Sequence, residues 1–173
     1  MAENARRDFM LRTARAAGVA PLALGVLDGS AATPPKNTGT DLEILSAAIA
    51  LEHHAIEVYR LGQERNLFPA GLRRYAAEFR GDHEGHRDTQ IVLVRERGGT
   101  PPEALSSYDL GPLRTSDQLV RQAFLVERAA QDAYLALISQ IRTNDYLLSA
   151  GFILVDEVRH LTVWQRVLGY ALY

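Results

Sequence analysis

The sequence predicts an all-α four-helix bundle made of two antiparallel hairpins joined by one long crossover. Three observations carry that expectation. From residue 40 onward, apolar residues recur at three- and four-residue steps over four long stretches, with no convincing strand alternation. The connections between those stretches run short, long, short. Each stretch also sets titratable residues in the middle of its apolar face, where a surface helix normally has none.

The chain has 173 residues, 47% hydrophobic and 23% charged, enough for one domain with a sizeable core. A formal net charge of -2 offers no basic face, which argues against a nucleic-acid partner. Cysteine is absent, which excludes disulfides, thiolate ligands and a cysteine nucleophile. Any metal must be held by nitrogen and oxygen donors.

Residues 1–32 read as an export signal. Arg6 and Arg7 precede Asp8, Phe9, Met10 and Leu11, an apolar stretch follows over residues 16–27, and Ser30-Ala31-Ala32 supplies small residues for cleavage after Ala32. The paired arginines resemble the twin-arginine export motif, which implies the twin-arginine export machinery as a partner and a periplasmic or otherwise exported location. The apolar stretch is about half the roughly 20 residues that a membrane span needs, so no permanent span is expected. Residues 33–40, rich in Thr, Pro and Gly, form a short linker, and 41–173 is the bundle.

The first helix is expected over residues 40–65, opened by a capping box of Thr40 and Glu43. Asn66-Leu67-Phe68-Pro69 makes a tight connection to a second helix over 70–97, which Gly98-Gly99 and Pro101-Pro102 stop. Residues 98–115 hold helix breakers and no periodicity, so they form the long connection. Thr115 and Gln118 make a second capping box for a helix over 116–142, and Thr143-Asn144 turns the chain into a fourth helix over 145–168. Short loops join antiparallel neighbours, whereas eighteen residues can run the full height of a bundle.

Glu52 lies within about 60° of Leu45, Ala48, Ile49, Ile56 and Tyr59 on its helix, and Glu127 lies likewise among Val120, Ala123, Phe124, Tyr134 and Ile138. A carboxylate buried alone costs several kcal/mol, so each needs a proton, a partner or a cation. His83 and His86 share one face of the second helix, and Glu157 and His160 share one face of the fourth. Counted from the connections, Glu52 lies 13 residues before its helix ends and His83 lies 13 after its helix starts. Glu127 and Glu157 lie 15 and 12 residues from theirs, so all meet at nearly one level. His53 and His54 point away from the stripe by about 100° and 200° and read as surface residues, as do Glu57 and Glu84.

An internal repeat supports the pairing. Leu51-Glu52-His53-His54-Ala55-Ile56-Glu57-Val58-Tyr59 aligns with Val126-Glu127-Arg128-Ala129-Ala130-Gln131-Asp132-Ala133-Tyr134, keeping the Glu and a Tyr seven residues later. Asp82-His83-Glu84-Gly85-His86 aligns with Asp156-Glu157-Val158-Arg159-His160, keeping the Asp and the final His. Two hairpins related by a pseudo-twofold axis would set one metal near each.

This ligand pattern, over residues 40–170, is similar to that of the ferritin-like di-iron carboxylate proteins, and with the export signal it resembles exported ferritin-like domain proteins. Asp156-Glu157-Val158-Arg159-His160 also resembles the Asp-Glu-x-Arg-His element of di-iron monooxygenases. The resemblance implies a ferritin-like fold and two transition-metal ions, iron first, with manganese, copper or zinc also served by the donors Glu52, His83, His86, Glu127, Glu157 and His160. It implies supporting roles for Asp82 and Asp156, which would accept from His160 and His86 across the bundle. Tyr59 and Tyr134 stand seven residues, about two turns, beyond the carboxylates. The family has Glu-x-x-His on the second helix, so His83 is a departure that leaves three carboxylates and three imidazoles. Two readings of function stay open: a dinuclear centre that is redox-active toward dioxygen, peroxide or metal ions, and a non-catalytic structural or stress-related bundle. Assembly into a homo-oligomer is open as well.

Overall fold

The structure is a computed structural model that describes residues 41–171. The export signal, the linker and the Thr40 capping box lie outside the described residues. Within them the chain forms α1 (Asp41–Glu64), a 3-10 turn (Ala70–Leu72), α2 (Arg73–Glu96), α3 (Ser116–Ile138) and α4 (Asn144–Val167), with no strand. α1 packs on α2 and on α3, α4 packs on α3, and α2 meets α4 along a fourth, looser seam. This is the four-helix bundle with one long crossover. No helix among the described residues is long and apolar enough to cross a membrane.

The helix ends follow their local chemistry. Asn66 takes a left-handed φ of 53° after α1, and the Leu67 N–H bonds back to the Gly62 carbonyl at 2.9 Å. Gly98, at φ 73°, ends α2 in the same way, with the Gly99 N–H on the Val94 carbonyl at 3.0 Å. The Thr115–Gln118 capping box opens α3. Two expected boundaries move. The second helix begins with a 3-10 turn at Ala70, and its α-helical part starts at Arg73. α3 stops at Ile138, four residues before the expected end. There the Asp41 carboxylate of α1 accepts the N–H groups of Arg142 (3.1 Å) and Thr143 (2.9 Å) and the Thr143 hydroxyl (2.5 Å). Those N–H groups therefore serve a contact between helices and cannot continue α3.

The crossover lies along α1. The Arg65 guanidinium donates to the Leu113 carbonyl at 3.1 Å, His53 Nε2 lies 3.3 Å from the Pro102 carbonyl, and Leu110 and Leu113 are buried. This corrects the surface reading of His54. Its ring packs 5.3 Å from that of Tyr108 and is 3% exposed, because the crossover covers the face of α1 that points away from the bundle. Burial holds the His54 imidazole down to about 4, against an opposing pull from Glu57 and Asp109.

The core is divided. One apolar cluster, centred on Tyr59, Phe68, Phe79, Leu119 and Trp164, fills the end of the bundle nearest the α1–α2 connection. Two smaller clusters, with Ile44, Tyr134, Ile153, Leu45, Val94 and Tyr146, fill the other end. Between them lies a belt of buried polar side chains.

Gly62 shows how closely the first cluster is packed. A Cβ there would lie 2.5 Å from Phe68 Cε2 and 2.6 Å from Leu119 Cδ2, both on fully packed side chains. Alanine would gain up to about 1 kcal/mol of helix propensity but should lose about 1–3 kcal/mol to overpacking. Gly62→Ala is therefore expected to lower the guanidinium midpoint; a raised midpoint would show that the Phe68 ring yields freely.

Candidate metal centre

The polar belt comes from one residue of α1, one of α3 and two each of α2 and α4. Glu52, His83, Glu127, Glu157 and His160 are all 0–1% exposed, and the His86 side chain is 11% exposed. Helical periodicity turns each of them inward, and the antiparallel hairpins set them at one height.

The belt forms two overlapping sets. Glu52, His83, His86 and Glu157 offer one ligand atom each, all within 4.8 Å of one another, and so do His83, Glu127, Glu157 and His160. His83 and Glu157 belong to both. The His83 ring spans the middle, with Nδ1 2.8 Å from Glu52 Oε2, Nε2 3.2 Å from Glu127 Oε1, and Glu157 Oε1 at 3.5 Å from Nδ1.

The terminal imidazoles are held from outside. His86 Nε2 lies 3.3 Å from Asp156 Oδ2 on α4, and His160 Nε2 lies 3.0 Å from Asp82 Oδ2 on α2. Each ring thus turns its other nitrogen, Nδ1, into the belt. The tyrosines cross between hairpins. Tyr59 of α1 donates to Glu127 Oε1 of α3, and Tyr134 of α3 donates to Glu52 Oε1 of α1 at 2.5 Å. Trp164 Nε1 donates to the Tyr59 oxygen at 2.7 Å, and Gln90 Nε2 donates to the Tyr134 oxygen at 2.5 Å. On periodicity alone, Trp164 and Gln90 are apolar-face positions with no functional signature. The signal that could have found them was their matched position, one turn beyond each hairpin's final histidine.

Burial and charge act against each other here. Burial pushes Glu52 up, but the hydrogen bonds and charges of His83 and His86 outweigh it and hold the carboxyl down to about 2. Glu127 is likewise held below the usual carboxylate range: burial raises it, and the His83 charge and the close His160 and His83 imidazoles outweigh that. Burial dominates for Glu157 and holds it above the usual range, up to about 8. For His86, burial is overcome by the Glu157 and Glu52 carboxylates, which raise it to about 10. His83 is raised in the same way, chiefly by the charges of Glu157 and Glu127 acting against burial.

Five buried atoms of the belt make no well-formed hydrogen bond: Nδ1 of His86 and of His160, Oε2 of Glu127, and both Glu157 oxygens; His86 Nδ1 faces Glu157 Oε1 and His160 Nδ1 faces Glu127 Oε2, each at 3.3 Å. Buried polar atoms are rarely left so, and these five converge on the two four-residue sets. An imidazole tied by one nitrogen to a carboxylate and presenting the other to a cluster of oxygens is the arrangement of a metal ligand. The donor set, imidazole and carboxylate without thiolate, suits iron, manganese, copper or zinc. This is a buried His/Glu cluster able to hold metal.

A family profile described as "Ferritin-like domain" matches residues 40–170. Among curated proteins no sequence match is found. Among solved structures, the chain is similar to the crystal structure of a conserved hypothetical protein, rv2844, from Mycobacterium tuberculosis. The two are 29% identical with a TM-score of 0.68, and the match covers 75% of this chain and 91% of that one.

The electrostatics imply a pH dependence for metal-free protein. His86 has an ordinary value of 6.5 when unfolded and about 10 when folded, so its contribution is complete below about 6.5 and lost as pH rises through 10. Glu157, raised from 4.5 to about 8, acts in the same sense: complete below 4.5 and lost as pH rises through 8. Glu52, lowered from 4.5 to about 2, acts oppositely and is lost only as pH falls from 4.5 through 2. The guanidinium midpoint of metal-free protein should therefore fall between pH 6 and pH 9, and Glu157→Gln should reduce that fall. A midpoint at pH 9 equal to that at pH 6 would contradict these charge assignments.

Proposed function

The chain belongs to the ferritin-like domain family, and from that premise we propose that its polar belt binds two transition-metal ions, iron first, as a redox centre. The observation that carries this reading is the convergence of five buried donor atoms without well-formed hydrogen bonds on two sets that share His83 and Glu157. Glu52 and His86 would hold one ion and Glu127 and His160 the other, with His83 and Glu157 between them. When bound, such a pair supplies one-electron chemistry toward dioxygen, peroxide or further metal ions.

The chain's own residues prepare the site. With metal bound, Asp156 and Asp82 would accept from Nε2 of His86 and His160 and so leave each Nδ1 free to ligate. Tyr59 and Tyr134 restrain one oxygen each of Glu127 and Glu52, and each phenol holds a proton beside the centre. The apolar clusters keep bulk water from both ends. His83 in place of a carboxylate leaves one more positive charge on the pair and favours the lower oxidation state. We also propose that residues 1–32 direct export of the folded, loaded chain; N-terminal sequencing of the exported protein should begin at Thr33.

One observation favours a second reading. A cationic His83 touches Glu52 and Glu127 at once, and by itself it neutralises part of the belt as a metal would. The bundle would then be structural, with a degenerate site.

Anaerobic loading of metal-free protein with iron(II), followed by metal analysis, separates the two readings. The redox reading expects two ions per chain. Glu52→Ala and Glu127→Ala should each retain about one, and His83→Ala should weaken both. A wild-type chain that takes up no iron, manganese, copper or zinc would leave the structural reading standing.

A further inference from the structure

The two halves of the centre are related by the internal repeat, yet they do not meet solvent equally. The His160 side chain is fully buried, whereas His86 keeps 11% of its side-chain surface exposed, the most among the six candidate ligands. The repeat differs at the position before each histidine. Before His160 stands Arg159, whose Nη2 lies 2.5 Å from Asp82 Oδ2, the oxygen that His160 Nε2 approaches at 3.0 Å. The same nitrogen lies 3.6 Å from Asp156 Oδ1 and 3.8 Å from Glu78 Oε1. Before His86 stands Gly85, where a Cβ would meet no heavy atom within 4 Å. The guanidinium thus bonds Asp82 of the Asp82–His160 pair and comes only within 3.6 Å of Asp156, and at the matching position before His86 no side chain stands, with open space around the Gly85 Cα.

Gly85 is exposed on α2, and nothing is packed against it. Directly behind His86 are its Nδ1 and the Glu157 oxygens, none with a well-formed hydrogen bond, with Glu157 Oε1 3.3 Å from His86 Nδ1. We propose that ions enter and leave the centre along the α2–α4 seam beside His86, through an opening that Gly85 keeps clear, and that Arg159 closes the twin opening beside His160. This rests on the metal-binding reading above. The solute it admits is a small divalent cation that exchanges water for the Glu157 and His86 donors. The half-exposed Asp156 carboxylate marks the entrance.

Copying the closed side onto the open one tests the route. Cobalt(II) uptake by metal-free protein is followed by stopped-flow absorbance, and its release is followed into excess EDTA. Gly85→Ala should match wild type in both rates. Gly85→Arg should slow entry and exit alike by about tenfold and leave the dissociation constant unchanged, as a closed gate does. The uncharged Gly85→Leu should act in the same direction. Each substitution raises helix propensity, so circular dichroism should show no loss of helix. Slower entry with faster exit in Gly85→Arg would mean charge repulsion only, and rates equal to those of Gly85→Ala would mean that ions pass elsewhere; either result overturns the route. If wild type takes up no cobalt, the metal-binding reading falls and the route with it, whereas normal uptake with indifferent Gly85 variants removes the route alone.

Discussion

The structure depends on one unfavourable arrangement, three carboxylates and three imidazoles set at mid-height in an otherwise apolar bundle. Isolated charges in that position would cost far more than the few kcal/mol by which a domain of this size is stable. They are tolerated because opposite charges interleave, with His83 placed between Glu52 and Glu127 and each outer imidazole backed by an aspartate. The apolar clusters on either side supply the burial that holds the helices together around this belt.

That interleaving remains incomplete. Five atoms of the two candidate sets make no well-formed hydrogen bond, while the other nitrogens of His86 and His160 are engaged by Asp156 and Asp82. Those inward atoms face one another only at 3.3 Å, His86 Nδ1 against Glu157 Oε1 and His160 Nδ1 against Glu127 Oε2, without hydrogen-bond geometry. The pattern of satisfied exterior and unsatisfied interior is what a cation site requires.

The pseudo-twofold relation between hairpins explains why the supporting contacts run crosswise. Tyr59 and Tyr134 each serve the carboxylate of the other hairpin, as do the two aspartates for the two histidines. The departures from symmetry are where the halves acquire different properties: Trp164 against Gln90 behind the tyrosines, and Arg159 against Gly85 at the surface.

Much of this was legible before any coordinates. Periodicity of 3.6 residues by itself determined that Glu52, His83, Glu127 and Glu157 face inward, and counting from the connections set them at one height. Glycine, proline and capping residues placed the helix ends to within a few residues, because those signals are local hydrogen-bond chemistry. What required tertiary structure was every property that depends on a neighbour distant in sequence. The end of α3 is decided by a carboxylate about a hundred residues earlier, in Asp41. His54 is buried because the crossover happens to lie over its face of α1, a path that no periodicity within α1 encodes. The unequal exposure of His86 and His160 follows from which side chain reaches across the α2–α4 seam. Direction along a helix is a local property written in the chain; contact across helices is decided only when all four are packed.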